Sequence, residues 1–382
     1  MEAGCCAGWR LCGRERNILA VPRVGGDPGV HISLRFLLMD GAIAVAGLSF
    51  RQAMQGMPII GFHASHEQID PRSLLDVVQA AESAGFQAAM CSDHFSPWST
   101  RPGQSGFAWS WLGAALQATS LLFGVVNAPG QRYHPAIIAQ AAATLSQMFP
   151  GRFWVALGSG EAMNEHITGE RWPVKSLRNA RLRECVDVMR ALFAGETVSH
   201  SGLVQVDRAR LWTRPATPPP LIGAAVSEAT AAWVGAWADG LVTINEPKDK
   251  LERMIAAFRE KGGEGKPLFL QIHVAYGRDD EAALAIAHDQ WRTNIFPPAI
   301  CWDLELPEMF EAAAQFVRPE DLRGPVLISA DAEQFVDWVA EFAEIGFERI
   351  YVHHVGKEQQ EFIDVFGERA LPMFAGSVSC PS

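Results

Sequence analysis

Residues 86–98 read FQAAMCSDHFSPW, and the fold turns on how this stretch is read. An apolar run (Phe86, Ala88, Ala89, Met90) ends abruptly in Ser92-Asp93-His94. Such a run, flanked by helical patterns, reads as a buried parallel strand. An imidazole and a carboxylate at its C-terminal end then sit where barrel enzymes keep their chemistry. Taken alone, Asp-His reads equally well as a polar turn with His94 satisfied by a local hydrogen bond. The surrounding chain decides between the two.

Upstream, Pro58 to Phe62 is a short apolar strand. Asp70 is a natural N-cap for a helix opened by Pro71, with Leu74, Leu75, Val78 and Ala81 on its buried face and Gly85 at its end. Downstream, strands are predicted at Leu121–Val126, Arg152–Leu157, Leu221–Ala225, Gly240–Thr243, Leu268–Tyr276 and Arg349–His353. Helices are predicted between them at Trp109–Thr119, His134–Met148, Leu177–Ala194, Ser227–Trp237, Leu251–Lys261, Asp280–Asn294 and Ala332–Ala343. A last helix, Gln359–Leu371, closes the chain. Residues 195–217 and 296–325 read as polar insertions, and Val326–Ser329 as a short extra strand or turn. Eight strands alternating with helices call for parallel pairing with right-handed crossovers. They close most economically as an α/β (β/α)8 TIM barrel, with insertions after strands 4 and 7. A doubly wound open sheet is the alternative, weakened because no GxGxxG follows the first strand.

The barrel pattern spans residues 56–375, followed by a tail at 376–382. Residues 1–55 lack it: 1–30 mix Cys, Gly, Arg and Pro without period, and 32–50 are apolar but broken by Arg35 and Asp40. That stretch is marginal for a membrane span and poorly ordered for a signal peptide. It reads as a non-native extension upstream of a start at Met54 or Met57, with an amphipathic or regulatory segment as the alternative. The net charge is −11, with no basic run, which argues against nucleic acid as a partner. Seven cysteines without a CxxC suit a reduced, cytoplasmic protein with buried thiols at Cys91 and Cys185, without a metal site.

Four motifs carry a family resemblance: SDHFSPW at 92–98, RYHPAIIAQAAATL at 132–145, GSGEAMNEHITG at 158–169 and ADGLVT at 238–243. Together they resemble the bacterial-luciferase-like flavin superfamily, and within it the deazaflavin-dependent glucose-6-phosphate dehydrogenase group, from about Ile59 to Phe374. The resemblance implies a flavin-dependent oxidoreductase that acts on a small organic molecule. It implies that His94 is the proton-transfer group, which suits an imidazole near neutral pH. It assigns Glu161 as the second acid/base group, a carboxyl in a closed barrel mouth being suited to acid work; the alternative is a helix N-terminal acid opposing the dipole. Asp93 would orient His94 or contact the ring edge, Trp98 would wall the site or, as one of twelve Trp, pack in a loop cluster, and Asn164 would contact the cofactor. Ser159 and Gly160 would bring backbone N–H groups to the flavin or its phosphate. Ala225, Val226 and Ser227 would form the turn at the cofactor phosphate. His63 and His66 point to the same face and read equally well as loop polar residues.

The departures matter as much. The sugar-phosphate dehydrogenases place basic residues where this chain has Glu246, Phe310-Glu311 and Gly324-Pro325, so glucose 6-phosphate is not the expected substrate. Ala225-Val226-Ser227 replaces the group's Gly-Gly-Pro turn. Asn127-Ala128-Pro129-Gly130 differs where the group often carries a non-prolyl cis peptide. These changes point to the sister branch assigned to FMN, with monooxygenation of an unknown substrate and a flavin reductase as an accessory partner. The alternative cofactor is coenzyme F420 (F-420, 8-hydroxy-5-deazaflavin), serving alcohol dehydrogenation. A non-catalytic flavin-binding barrel is the rival of another class. The group's habit implies a homodimer.

Overall fold

The computed structural model describes residues 57–374, together with Leu38–Met39 and Ala42–Ile43, which pair as two short antiparallel strands. That pairing apart, the expectations for residues 1–55 and for the tail at 376–382 lie outside the described residues.

Within 57–374, strands β1 (Ile59–His63), β2 (Ala88–Ser92), β3 (Leu122–Asn127), β4 (Phe153–Leu157), β5 (Leu221–Ala224), β6 (Leu241–Ile244), β7 (Leu268–Tyr276) and β8 (Arg349–His354) form one parallel sheet. Each pairs with its neighbour in sequence, β8 pairs with β1, and the sheet closes. This is a (β/α)8 barrel. Helices α1 (Pro71–Ala84), α2 (Ala108–Ala118), α3 (Pro135–Met148), α4 (Lys175–Ala194), α5 (Glu228–Gly235), α6 (Lys248–Phe258), α7 (Asp280–Trp291), α8 (Ala332–Ile345) and α9 (Gln360–Arg369) lie between and after the strands.

The local signals for α1 act as read. Asp70 accepts from the N–H groups of Arg72 and Ser73, and Gly85 ends the helix at φ +109°. That left-handed conformation suits glycine. Leu74, Val78 and Ala81 are buried. The barrel interior is filled by Met90, Trp154, Ile222, Val242, Phe269 and Tyr351. Two strand glycines make room for its rings: a Cβ on Gly124 would overlap Trp154, and one on Gly61 would overlap Tyr351. The larger core, with Phe62, Leu112, Phe335 and Val339 completely or almost completely buried, lies between strands and helices.

Two segments depart from the sequence expectation. Residues 195–217 contain an antiparallel hairpin, Val198–Ser201 with Gln205–Ala209. Its strands are short and mostly exposed, so they lack the apolar alternation that marks a strand. Residues 296–325 contain two short helices, Pro298–Cys301 and Pro307–Ala314. After them, Leu327–Ser329 forms a real strand, paired with the C-terminal end of β7. Cys91 and Cys185 are buried free thiols, as expected. Among the described residues no helix is long and apolar enough to cross a membrane, and no cluster could hold a metal ion.

Candidate active site

The loops after β1, β2 and β4 bring three side chains together. The register of β1 on β2 continues into the first loop, where the Ala64 N–H donates to Met90 O at 2.8 Å. This turns Glu67 inward. Its carboxylate is fully buried, and Ser65 Oγ donates to Glu67 Oε2 at 3.0 Å. His94, just past β2, places Nδ1 2.7 Å from Glu67 Oε1. The ring N–H is not aimed squarely at that oxygen, so the contact is chiefly an ion pair. His94 Nε2 faces Glu161 Oε2 at 3.9 Å.

Burial alone would push the His94 imidazole down. The Glu67 carboxylate, helped by Glu161, lifts it instead to about 9. Burial would likewise raise Glu67, and the adjacent imidazolium holds it at about 2. Both shifts favour the charged pair, where the expectation was an imidazole near neutral pH. Glu67 is also the residue the sequence reading missed. It stands one position beyond His66, in the turn four residues past the end of the first strand, and that position was the available signal.

Asp93 does not orient His94. Its buried carboxylate accepts from Trp109 Nε1 (3.0 Å), Asn127 Nδ2 (2.8 Å) and Tyr133 Oη (3.3 Å), and its backbone carbonyl accepts from Arg132 at 2.7 Å. Asp93 thus knits β2, α2 and the loop after β3 under the cleft. Glu161 stands at the N-terminus of the short helix Ala162–Glu165 without capping it, and its side chain is 34% exposed. Its carboxylate is thus partly exposed, where a closed mouth was expected. Asn164 Oδ1 accepts from the N–H groups of Phe95 (2.8 Å) and Ser96 (3.3 Å), while Nδ2 donates to Glu161 Oε2 at 3.4 Å. These contacts tie the His94 loop to Glu161.

His63 and His66 are buried beside this group, and both ring nitrogens of each lack a partner. Burial holds each near 4. His63 stacks on His353 with ring centroids 4.2 Å apart. Gln271 of β7 reaches His273 Nε2 at 3.2 Å.

A cleft of about 250 Å³ opens over the C-terminal ends of β2 to β6. Asp93, His94, Ser159, Gly160, Glu161, Asn164, Ala225 and Val226 all line it, with Met90 and Val242 of the barrel interior among the apolar lining. Ser227 lies just behind, where its hydroxyl caps α5 and contacts Thr230, itself a lining residue. Trp98 is the exception. The expected active-site wall packs instead in the loop cluster, edge-on to Trp291 at 4.9 Å, with Nε1 on Gln290 O. Trp302 of the second insertion lines the cleft in its stead. The cleft suits a flavin-like ring. Gly158 leaves space that a Cβ would narrow only against Ala224, and Asn127 Oδ1 and Thr243 Oγ1, on lining residues, have no partner within the protein.

The acidic replacements act differently from the expectation. Glu246 is paired with Lys250 at 2.5 Å, and Glu311 with Arg292 at 3.0 Å, Ser99 and Thr100. Neither lines the cleft, so neither repels a ligand there. Phe310 is buried in the loop cluster, and Pro325 O accepts from Asn245. What survives of the argument is that these positions themselves carry no cation. Every described peptide, including those of the 127–130 turn, is trans.

The profile of the luciferase-like monooxygenase family matches residues 55–349. The chain belongs to this family. Two curated relatives are F420-dependent glucose-6-phosphate dehydrogenases. That of Nakamurella multipartita is 32% identical over 323 residues, covering 82% of this chain and 95% of the relative. That of Kribbella flavida is 34% identical over 327 residues, covering 82% and 97%. The solved structure of an F420-dependent secondary alcohol dehydrogenase, in complex with an F420-acetone adduct, superposes with a TM-score of 0.78. It is 30% identical and covers 84% of this chain and 100% of that one. As a member of the luciferase-like family, the chain is an oxidoreductase on a (β/α)8 barrel.

Proposed function

We propose that this protein is a coenzyme F420-dependent alcohol dehydrogenase whose substrate is not glucose 6-phosphate. The observation that carries the reading is the line Glu67–His94–Glu161 at the mouth of a ring-sized cleft. The names of the relatives support F420 over the FMN expected from the altered turn at 225–227. No O2 chemistry and no flavin reductase belongs to this reading. A non-catalytic barrel would have little reason to keep a buried carboxylate against an imidazolium, because such a pair is costly to desolvate.

When bound, F420 supplies a ring that accepts a hydride. The protein's part is the proton. His94 Nε2 is the atom open to the cleft, and it takes the hydroxyl proton during oxidation. Glu67 fixes the ring through Nδ1, and Glu67 and Glu161 stabilise the imidazolium that forms. The same two carboxylates make neutral His94 scarce below pH about 9. Oxidation therefore speeds up as the pH rises, while carbonyl reduction finds its proton donor ready at neutral pH. Asp93 and Arg132 hold the floor of the cleft, and Asn164 keeps Glu161 opposite His94.

The test is direct. The purified protein is titrated with F420 and with FMN, then given simple secondary alcohols. Binding of F420 and its reduction by an alcohol are expected. Tight FMN binding with no F420 reduction would overturn the reading.

A further inference from the structure

Lys175, the first residue of α4, has no counterpart among the candidate residues above, yet it lines the cleft. Its ammonium donates to Ser159 Oγ at 2.7 Å and stands 4.6 Å over the ring of Trp302. No carboxylate among the described residues forms an ion pair with it. The acid nearest in sequence on the Trp302 side, Asp303, is engaged by Arg178 at 3.7 Å and by Trp172 Nε1 at 2.9 Å. A neutral hydroxyl and an aromatic face stabilise a desolvated ammonium only in part. Burial, with Arg178 nearby, accordingly pulls Lys175 down to about 8. An anion arriving here would supply the missing charge.

Ser159 belongs to the Gly158-Ser159-Gly160 turn that ends β4. On the neighbouring strand, Ala225 and Val226 line the same cleft, and α5 starts immediately after Ser227. The N-terminal end of an α-helix carries partial positive charge. Lys175 on one side and the start of α5 on the other thus favour negative charge at the β4–β5 end. The carboxylates Glu67 and Glu161 cluster about His94 and disfavour a second anion there.

We propose that Lys175, together with the Ser159 hydroxyl, anchors the phosphate-bearing side chain of the cofactor. This rests on the reading of the cleft as a deazaflavin site. The ring is then held over β2 to β4 and the phosphate at the ammonium, so ring binding and tail binding are separable.

The experiment compares F420 with its riboside precursor, which has the same ring without the phosphate. Affinities for both are measured by fluorescence titration on the full chain and on Lys175→Gln and Lys175→Arg. A charge-assisted contact of this kind is worth about tenfold to a hundredfold in affinity. Lys175→Gln should lose that factor for F420 and nothing for the riboside. Lys175→Arg should restore most of it, which also shows that the fold is intact. The salt dependence of F420 binding should flatten in Lys175→Gln. Equal affinities of wild type and Lys175→Gln for F420, or equal losses for F420 and the riboside, would overturn the proposal. If the protein binds FMN and not F420, the function reading fails. The FMN and riboflavin pair then tests Lys175 in the same way.

Discussion

Glu67 Oε1 lies 2.7 Å from His94 Nδ1, joining the loop after β1 to the loop after β2 by a buried ion pair. The pair sets the charge of His94, the proton-transfer group of the proposed reaction, and its effect on that reaction is measurable.

In Glu67→Gln the charge is gone, and burial then dominates His94. Its pKa is expected to fall from about 9 to below its ordinary value of 6.5. The rise of kcat/KM with pH in alcohol oxidation should move toward acid by more than about two pH units. Carbonyl reduction, which needs the imidazolium, should lose rate at neutral pH. Superimposable pH profiles for wild type and variant would contradict this.

Stability should respond to acid through other histidines. Burial holds His63, His66 and His354 near 4 and His273 near 3, from an ordinary 6.5. Below 6.5 the unfolded chain takes up protons that the folded chain refuses, so stability falls with pH until about 3–4. His94 has the opposite sign: its contribution is full below 6.5 and is lost as pH rises through about 9. Thermal melts from pH 8 to pH 4 should show a steep acid loss, partly relieved in His273→Gln. A flat profile would show that these rings are not neutral and buried in the folded state.

Much of this was legible in the sequence. The eight strands could be read because each is a short apolar run bounded by a helix signal such as Asp70-Pro71 or Gly85. The placement of His94 and Glu161 at the cleft could be read because their motifs are local. Glu67 could not, because its role depends on a loop folding inward beneath a residue of the next strand. Trp98 takes its alternative, the loop cluster, for a related reason. Its burial is made by Trp291, from a helix on the far side of the barrel in sequence, and no local pattern announces that contact. The hairpin at 198–209 was hidden by its polar, exposed strands.

Glucose 6-phosphate is expected neither to bind in the substrate region nor to reduce the cofactor. Arg132 and Lys175 are the basic residues of the cleft lining. The Arg132 guanidinium is committed: it donates to Asp93 O at 2.7 Å and pairs with Glu165 Oε1 at 3.5 Å. Saturation kinetics with this sugar phosphate would refute the expectation.

All eight barrel strands, and the β8–β1 pairing that closes them, lie after residue 58. A chain lacking residues 1–53 is expected to fold and to bind cofactor as the full chain does. Insolubility or loss of cofactor binding in the shortened chain would show that the segment contributes to the barrel.

Ser227→Asp places a negative charge at the turn before α5 while keeping a good helix cap. It should weaken F420 binding and leave the single-turnover rate at saturating cofactor nearly unchanged. An unchanged affinity would move the cofactor phosphate away from this turn.

The central claim is that His94 moves the proton and does not hold the cofactor. Its most direct test is His94→Ala, with F420 affinity measured by titration and single-turnover reduction of bound F420 by an alcohol followed in the same preparation. The account predicts affinity within a few-fold of wild type and a rate lower by about 10²–10⁴. Lost affinity with an unchanged rate at saturation would contradict it, and would make His94 a binding residue.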